Sequence, residues 1–438
     1  MDLCGLRAGH SGRRAARPDD REAHPARGGV LTGPVARHDQ TRRVSGRSNE
    51  RIALVNSRQR LETTLDHQEP DRVPIDLGSI VTSITTGAND ALKQYLGILS
   101  DDPVVDRIQQ LALPSPQLLE RLHVDTRYIY LSASRDWHDI ELPDNTYQDE
   151  FGVRRTAAFH ADTGRLLYYD FARENAHPLA NAETVADIAA FKWPDPHDPA
   201  RYAGLEEKAR HLYETTDKAL IVNAIGSIFE FSWYLRGYMQ FFEDLLLRPE
   251  MVEALLDAML EFQSALFDEI LSRVGSYVSV VMTGSDLGTQ AAPAISEQVY
   301  TRIVWPRYVK FWQRIRSKTR AKIFYHSCGS VEPMIKHLIE GGVDILHPVQ
   351  PMARGMGDRK RLKQLYGDRI TFWGGFDQQH VLPFGTAQQV RDEAKRLLDE
   401  FMPGGGYVFC AGHNIQTGVP PENIIALFDT VYEYGRYH

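Results

Sequence analysis

Long hydrophobic runs are missing from this 438-residue sequence. A helix that crosses a bilayer needs about 20 consecutive apolar residues. The longest apolar stretches here, such as 277–282 (YVSVVM), have the length of buried strands. No membrane partner is expected on that ground. Cysteine is scarce as well: three in the whole chain, too few for a disulfide scaffold and in keeping with a reducing cytoplasm. Nor is there a cationic surplus. Fifty Lys and Arg against 58 Asp and Glu leave a net charge of −8, which gives no reason to expect nucleic acid as a partner. What remains, 42% hydrophobic and 25% charged, is the balance of a soluble enzyme long enough to bury one large core.

The charge is unevenly spread. Residues 1–54 hold 11 arginines, no lysine and no Phe, Tyr or Trp. Such a segment cannot bury enough apolar area to offset its ordering entropy, so a disordered Arg-rich tail is expected there. It has no apolar h-region, so it does not read as a secretory signal. Asp19, Asp20, Glu22 and Asp39 argue against an acid-poor transit peptide. An over-extended gene start is the third reading, because the text changes near Val55. Beyond it, NSRQRLETTLDHQEPDRVPID reads as helix, turn and strand.

From 55 to 438 one domain is expected. Eight short runs, nearly all apolar, recur at 73–78, 126–132, 219–226, 277–284, 321–328, 344–349, 370–376 and 406–412. Runs of that kind are strands buried on both faces of a parallel sheet. Amphipathic helices separate them. Residues 249–274 begin with Pro in the first turn, and 387–402 stop at a glycine triplet, as helix starts and stops do. Eight alternations of strand and helix predict a (β/α)8 TIM barrel. No GxGxxG follows an early strand, which counts against an open doubly wound sheet. The stretch 143–173 predicts a β-hairpin insertion.

In such a barrel the polar residues at the C-terminal strand ends face the active site. They are Asp76, Asn223, Asp286, Gln290, His326, Cys328, Gln350, Asp377, Cys410 and His413. A strand-end Asp is often a loop anchor, and a buried Cys often plain apolar filling. Two of the three cysteines nevertheless fall on the predicted mouth. His326 and Cys328, two apart on a strand, point to one side of the pleat. Zinc accepts such N and S ligands and, in catalytic sites, takes three from the protein and leaves a fourth position open. The third would come from the eighth strand, either Cys410 or His413. Spacing alone supports a packed His and Cys beside a glycine turn equally well. No GxSxG is present, and His326 points poorly as a base for a Cys328 nucleophile.

RLETTLDHQEPDRVPID, IFYHSCGSVEPMIKHLIEGGVDILHPVQ, ITFWGGFDQQHVLPFGT and GGYVFCAGHNIQTGVPPENIIALFDTVYEYG together resemble the uroporphyrinogen decarboxylase superfamily, from about residue 57 to the end. The resemblance implies a (β/α)8 barrel and one of two chemistries. True uroporphyrinogen decarboxylases, which need no cofactor, hold substrate carboxylates with an arginine-rich RQAGRY-type motif. Here that place reads PIDLGSIVTSITTG, without arginine, and several carboxylates need cationic partners. The chain looks closer to the cobamide-dependent methyltransferases, with His-x-Cys after the fifth strand and a further zinc ligand after the last.

By register that ligand falls on His413, which follows Gly412 as an active-site His does in the decarboxylases. The resemblance thus implies Zn2+ on His326, Cys328 and His413 (or Cys410), with a corrinoid supplied by a corrinoid-binding partner protein. A thiol or methylated small molecule would be the substrate. Asp286, Asp377 or Gln350 would orient the zinc histidine, and Asp76, Asn223, Gln290 and Gln350 would line the substrate site.

Overall fold

The computed structural model describes residues 55–135 and 137–438, so the tail expected to be disordered lies outside the described residues. The strands in chain order are β1 (Val104–Asp106), β2 (Leu111–Ala112), β3 (Thr126–Ile129), β4 (Ile140–Leu142), β5 (Thr146–Gln148), β6 (Arg154–Phe159) and β7 (Leu166–Phe171). After them come β8 (Ala219–Ser227), β9 (Val280–Gly284), β10 (Lys322–His326), β11 (Ile345–His347), β12 (Thr371–Trp373) and β13 (Tyr407–Val408). Seven form one parallel sheet in the order β13-β12-β11-β10-β9-β8-β3. Helices separate them, so the class is the α/β barrel-like one that the alternation predicts.

The first predicted strand, 73–78, joins the two edges of that sheet without becoming a regular strand. Ile75 bridges Phe409 in parallel. The Phe409 N–H donates to the Pro74 carbonyl at 2.9 Å, and the Asp125 N–H to the Ile75 carbonyl at 2.8 Å. Two chemical facts interrupt the ladder. Pro74 has no N–H to give, and the Ile75 N–H goes to the Asp125 carboxylate at 2.8 Å. Asp125 also takes Arg60 at 2.7 Å and Arg72 at 2.7 and 2.9 Å. One buried carboxylate therefore ties the first helix, this segment and β3 together.

The strands follow the period-two rule. Tyr128, Ala219, Ile221, Val280, Met282, Phe324, Ile345, Trp373, Val408 and Cys410 form one cluster inside the curl. Their alternates, such as Leu220, Val281, Tyr325, Phe372 and Tyr407, pack outward in the larger cluster beneath the helices. Leu61 and Leu65 of the helix Ser57–Leu65 join the inner cluster. That helix starts at a capping box of Asn56 and Gln59. Helix Pro249–Val274 has its predicted span, and helix Ala387–Phe401 ends one residue before the predicted 402.

The insertion is larger than a hairpin. It is a four-stranded antiparallel sheet in the order β4-β5-β6-β7. The unanticipated strand β4 pairs Ile140 with Gln148 and Leu142 with Thr146. Its three residues carry no periodic signal of their own, and only the cross-strand partner makes them a strand. No helix among the described residues is long and apolar enough to cross a membrane.

Candidate metal centre

β10 runs inward through Phe324 and ends on His326, so period two turns the imidazole inward, with Cys328 following on the loop. Ligand atoms of His326, Cys328 and His413 lie within 4.8 Å of one another, and all three residues are buried. His326 Nε2 is 3.7 Å from the Cys328 sulfur, and the rings of His326 and His413 are 5.5 Å apart. Cys410 takes no part. It sits inside the curl, fully buried beside Trp373 and Val408. Of the two positions that the eighth strand offers, the structure brings His413 to the cluster.

The loops that present these groups are tightly held. The Cys328 N–H donates to Asp286 Oδ1 at 2.8 Å, the Gly329 N–H to Gln350 Oε1 at 2.9 Å, and the Ser327 N–H to the His347 carbonyl at 2.9 Å. Gly329 has φ +86°, and a Cβ there would lie 2.4 Å from the Gly288 backbone, so the turn after the cysteine admits only glycine. Gly412, at φ +90°, makes the matching turn before His413. Asn414 anchors the far side: its Oδ1 accepts the Ser83 N–H at 2.7 Å, and its Nδ2 donates to the Ile80 carbonyl at 2.8 Å.

His347, which sequence reasoning did not single out, orients the zinc-ligand candidate. Its Nδ1 lies 2.8 Å from Nδ1 of His326. That is a correction: the free ring nitrogen of His326 is not taken by Asp286, Asp377 or Gln350. A metal-binding lone pair on His326 Nε2 requires the proton on Nδ1, donated to His347 Nδ1. The proton of His347 is then on Nε2, which is buried without a partner among the described residues. Asp286 Oδ1 lies 3.5 Å from His326 Nε2, on the ligand side of the ring.

The remaining predicted residues divide. Asp377 Oδ1 accepts the N–H groups of Gln379 and His380 at 3.0 and 2.9 Å, so it caps its loop while lining the narrow cleft over the cluster. Gln350 lines that cleft too and donates to Gln379 Oε1 at 3.2 Å. Gln290 does not line it, and its carbonyl accepts the Arg354 N–H. Asn223 Oδ1 accepts the Ile80 N–H at 2.8 Å. Asp76 is in the barrel interior, bonded to Thr126, Tyr128 and Trp373. Glu230 is a further residue without a signal in the sequence. Its Oε2 accepts the Asp286 N–H at 3.4 Å, and burial pushes its carboxyl up.

The donor set suits zinc. Burial holds His326 well below its ordinary value, and the neighbouring His413 adds to this. Burial takes His413 down to about 4. Both rings are therefore neutral at pH 7 and carry a lone pair. His413 Nδ1 is buried with no hydrogen-bond partner among the described residues, which fits a ligand role. Two nitrogens and one sulfur from three residues are a donor set that could hold a metal ion of the zinc type. The ligand form of Cys328 is its thiolate.

Comparison with known proteins turns on the stretch that contains this cluster. The family model described as "Uroporphyrinogen decarboxylase (URO-D)" matches residues 169–434. The chain belongs to the uroporphyrinogen decarboxylase family. Identity to individual decarboxylases is modest. The uroporphyrinogen decarboxylase of Alkalilimnicola ehrlichii is 24% identical over 275 residues, 60% of this chain and 69% of that protein. That of Aromatoleum aromaticum is 38% identical over 79 residues, which is 18% of this chain and 22% of the relative. Among solved structures, a methyltransferase from Methanosarcina mazei superposes with a TM-score of 0.58 at 17% identity. The superposition covers 86% of this chain and 99% of the other. It supports the barrel fold of the family.

Proposed function

We propose that this family member is a zinc-dependent methyltransferase that moves a methyl group between a corrinoid on a partner protein and a thiol or methylated small molecule. The observation that carries this reading is the buried His326, Cys328 and His413 cluster, whose ligand atoms lie within 4.8 Å of one another. The Methanosarcina neighbour is consistent with it. So is the absence of arginine from 74–87, where a decarboxylase of this family needs cations for its substrate's carboxylates.

Zinc, when bound, supplies a positive charge that holds a substrate thiol as its thiolate at neutral pH. The chain's own residues prepare that step. His347 fixes the His326 tautomer, so Nε2 keeps its lone pair. Asp286 and Gln350 hold the backbone N–H groups on either side of the Cys328 carbonyl, which sets the height of the sulfur in the cluster. Pro348, Pro351, Met352 and Phe376 wall the cleft above it. They leave little room for water to compete with an incoming sulfur.

The test is a reconstituted assay on the reduced full chain, with methylcobalamin and 2-mercaptoethanesulfonate as surrogate substrates. Zinc-dependent consumption of methylcobalamin, lost in His413→Ala, is the expected result. Metal-independent release of CO2 from a carboxylated substrate, with no methyl transfer, would favour the decarboxylase chemistry of the named relatives.

A further inference from the structure

Besides its apolar walls, the cleft over the cluster is lined by Gln350, Asp377, Gln378 and Gln379. Two of the amides are engaged. Gln350 Oε1 accepts the Gly329 N–H at 2.9 Å, and its Nε2 donates to Gln379 Oε1 at 3.2 Å. Gln378 differs. Its Oε1 is buried and has no hydrogen-bond partner among the described residues. A buried amide oxygen without a donor is costly unless something outside the chain supplies one. The side chain also lies near the cluster. A Cβ added to Gly412, the residue before His413, would be 3.8 Å from Gln378 Cγ.

Asp377 brings a negative charge to the same cleft, and its side chain is only 12% exposed. The N–H groups of Gln379 and His380 both donate to Oδ1, and His380 Nδ1 is 3.6 Å from that same oxygen. The hydrogen bonds that this side chain accepts among the described residues thus end on Oδ1, which leaves Oδ2 for a ligand. No Lys or Arg among the described residues lines the cleft. Two arginines follow Met352 in the chain, but Arg354 is exposed and lines no part of it. Arg359 is buried on Glu393 and Glu400, at 2.8 and 2.5 Å.

The groups left without a donor beside the cluster are therefore an amide oxygen and a carboxylate oxygen. We propose that the thiol taken up at the open metal position is an aminothiol, its ammonium held by Asp377 and Gln378. These two residues select it against thiols that end in a sulfonate or a carboxylate. An ammonium carries donors alone, so it answers both oxygens and gains a charge-assisted bond from one of them. A sulfonate would set acceptors against acceptors and a negative charge beside a carboxylate. As the acceptor of a methyl group, this thiol rests on the methyltransferase reading.

Calorimetric titration of the zinc-loaded full chain compares cysteamine, 2-mercaptoethanol and 2-mercaptoethanesulfonate, which share an S–C–C chain and differ at the far end. Cysteamine should bind about 10- to 100-fold tighter than the sulfonate, the usual worth of a hydrogen bond to a charged group, with the alcohol between them. The three thiols differ in acidity, so the deciding quantity is the change in their affinity ratio on substitution, where acidity cancels. Asp377→Asn, which keeps an oxygen for the loop N–H groups, should lower the cysteamine-to-sulfonate ratio about 10-fold, with zinc content unchanged. If that variant does not fold, Gln378→Leu should lower the ratio about 3- to 10-fold. In methyl transfer from methylcobalamin, the sulfonate should serve with a KM above that of cysteamine. Sulfonate binding as tight as that of cysteamine in the wild type, or a ratio unchanged in either folded variant, would overturn the proposal. Cysteamine binding that survives chelation of the zinc would take its sulfur off the metal and overturn it too. Methyl transfer to all three thiols with one KM would leave the methyltransferase reading standing and remove the aminothiol. A chain that never holds zinc would remove both.

Discussion

The barrel interior and the barrel mouth each hold a cysteine and a cluster of buried polar groups, but they treat them differently. In the interior, Asp76 accepts from Thr126 at 2.5 Å, Tyr128 at 2.8 Å and the Trp373 indole at 3.0 Å. Beside them Cys410 is packed filling, its thiol pushed up by burial. At the mouth, His347 Nε2 and His413 Nδ1 are buried with no hydrogen-bond partner among the described residues. Buried polar groups are satisfied unless something outside the chain satisfies them. The interior is thus a structural network, and the mouth fits the proposed metal site.

That contrast can be broken in four places. Cys328→Ser should abolish zinc binding while the melting temperature stays within about 2 °C of wild type, since the residue belongs to neither hydrophobic cluster and Ser keeps nearly its shape. Zinc retained by the variant would break the assignment. Asp76→Ala should do the reverse. Orphaning three buried donors should cost about 3 kcal/mol in a denaturant titration, with zinc per folded chain unchanged. A cost below about 1 kcal/mol would show that the interior network is not structural.

His347→Phe should weaken zinc about 10- to 100-fold in a chelator competition, because the His326 ring loses the partner that fixes its tautomer. Unchanged affinity would mean that the pleat alone orients His326. The smallest effect belongs to Cys410→Ala, expected to keep its zinc and lose about 1 kcal/mol of stability to a small cavity. Lost zinc there would move the third ligand back into the interior.

Much of this architecture was legible in the sequence. Strands buried on both faces write themselves as continuous apolar runs, and period two puts His326 and Cys328 on one side from spacing alone. The side on which Cys410 lies was not legible, because Tyr407, Val408, Phe409 and Cys410 suit either face. The structure turns Val408 and Cys410 inward. His347 was hidden within the apolar run DILHPV, and its role exists only because β11 pairs His347 opposite His326. Glu230 was hidden for the same reason, since it acquires its meaning from Asp286, a partner distant in the chain. The residue types of the cluster could be read locally. The pairings that tune and surround it are properties of the fold.

Metal content of the reduced wild-type chain, purified without chelators, tests the central claim most directly. The account predicts about one zinc per chain, retained in Cys410→Ala and lost in both Cys328→Ser and His413→Ala. A wild-type protein with well below half an equivalent of any metal, or a His413→Ala variant with full zinc, would contradict it.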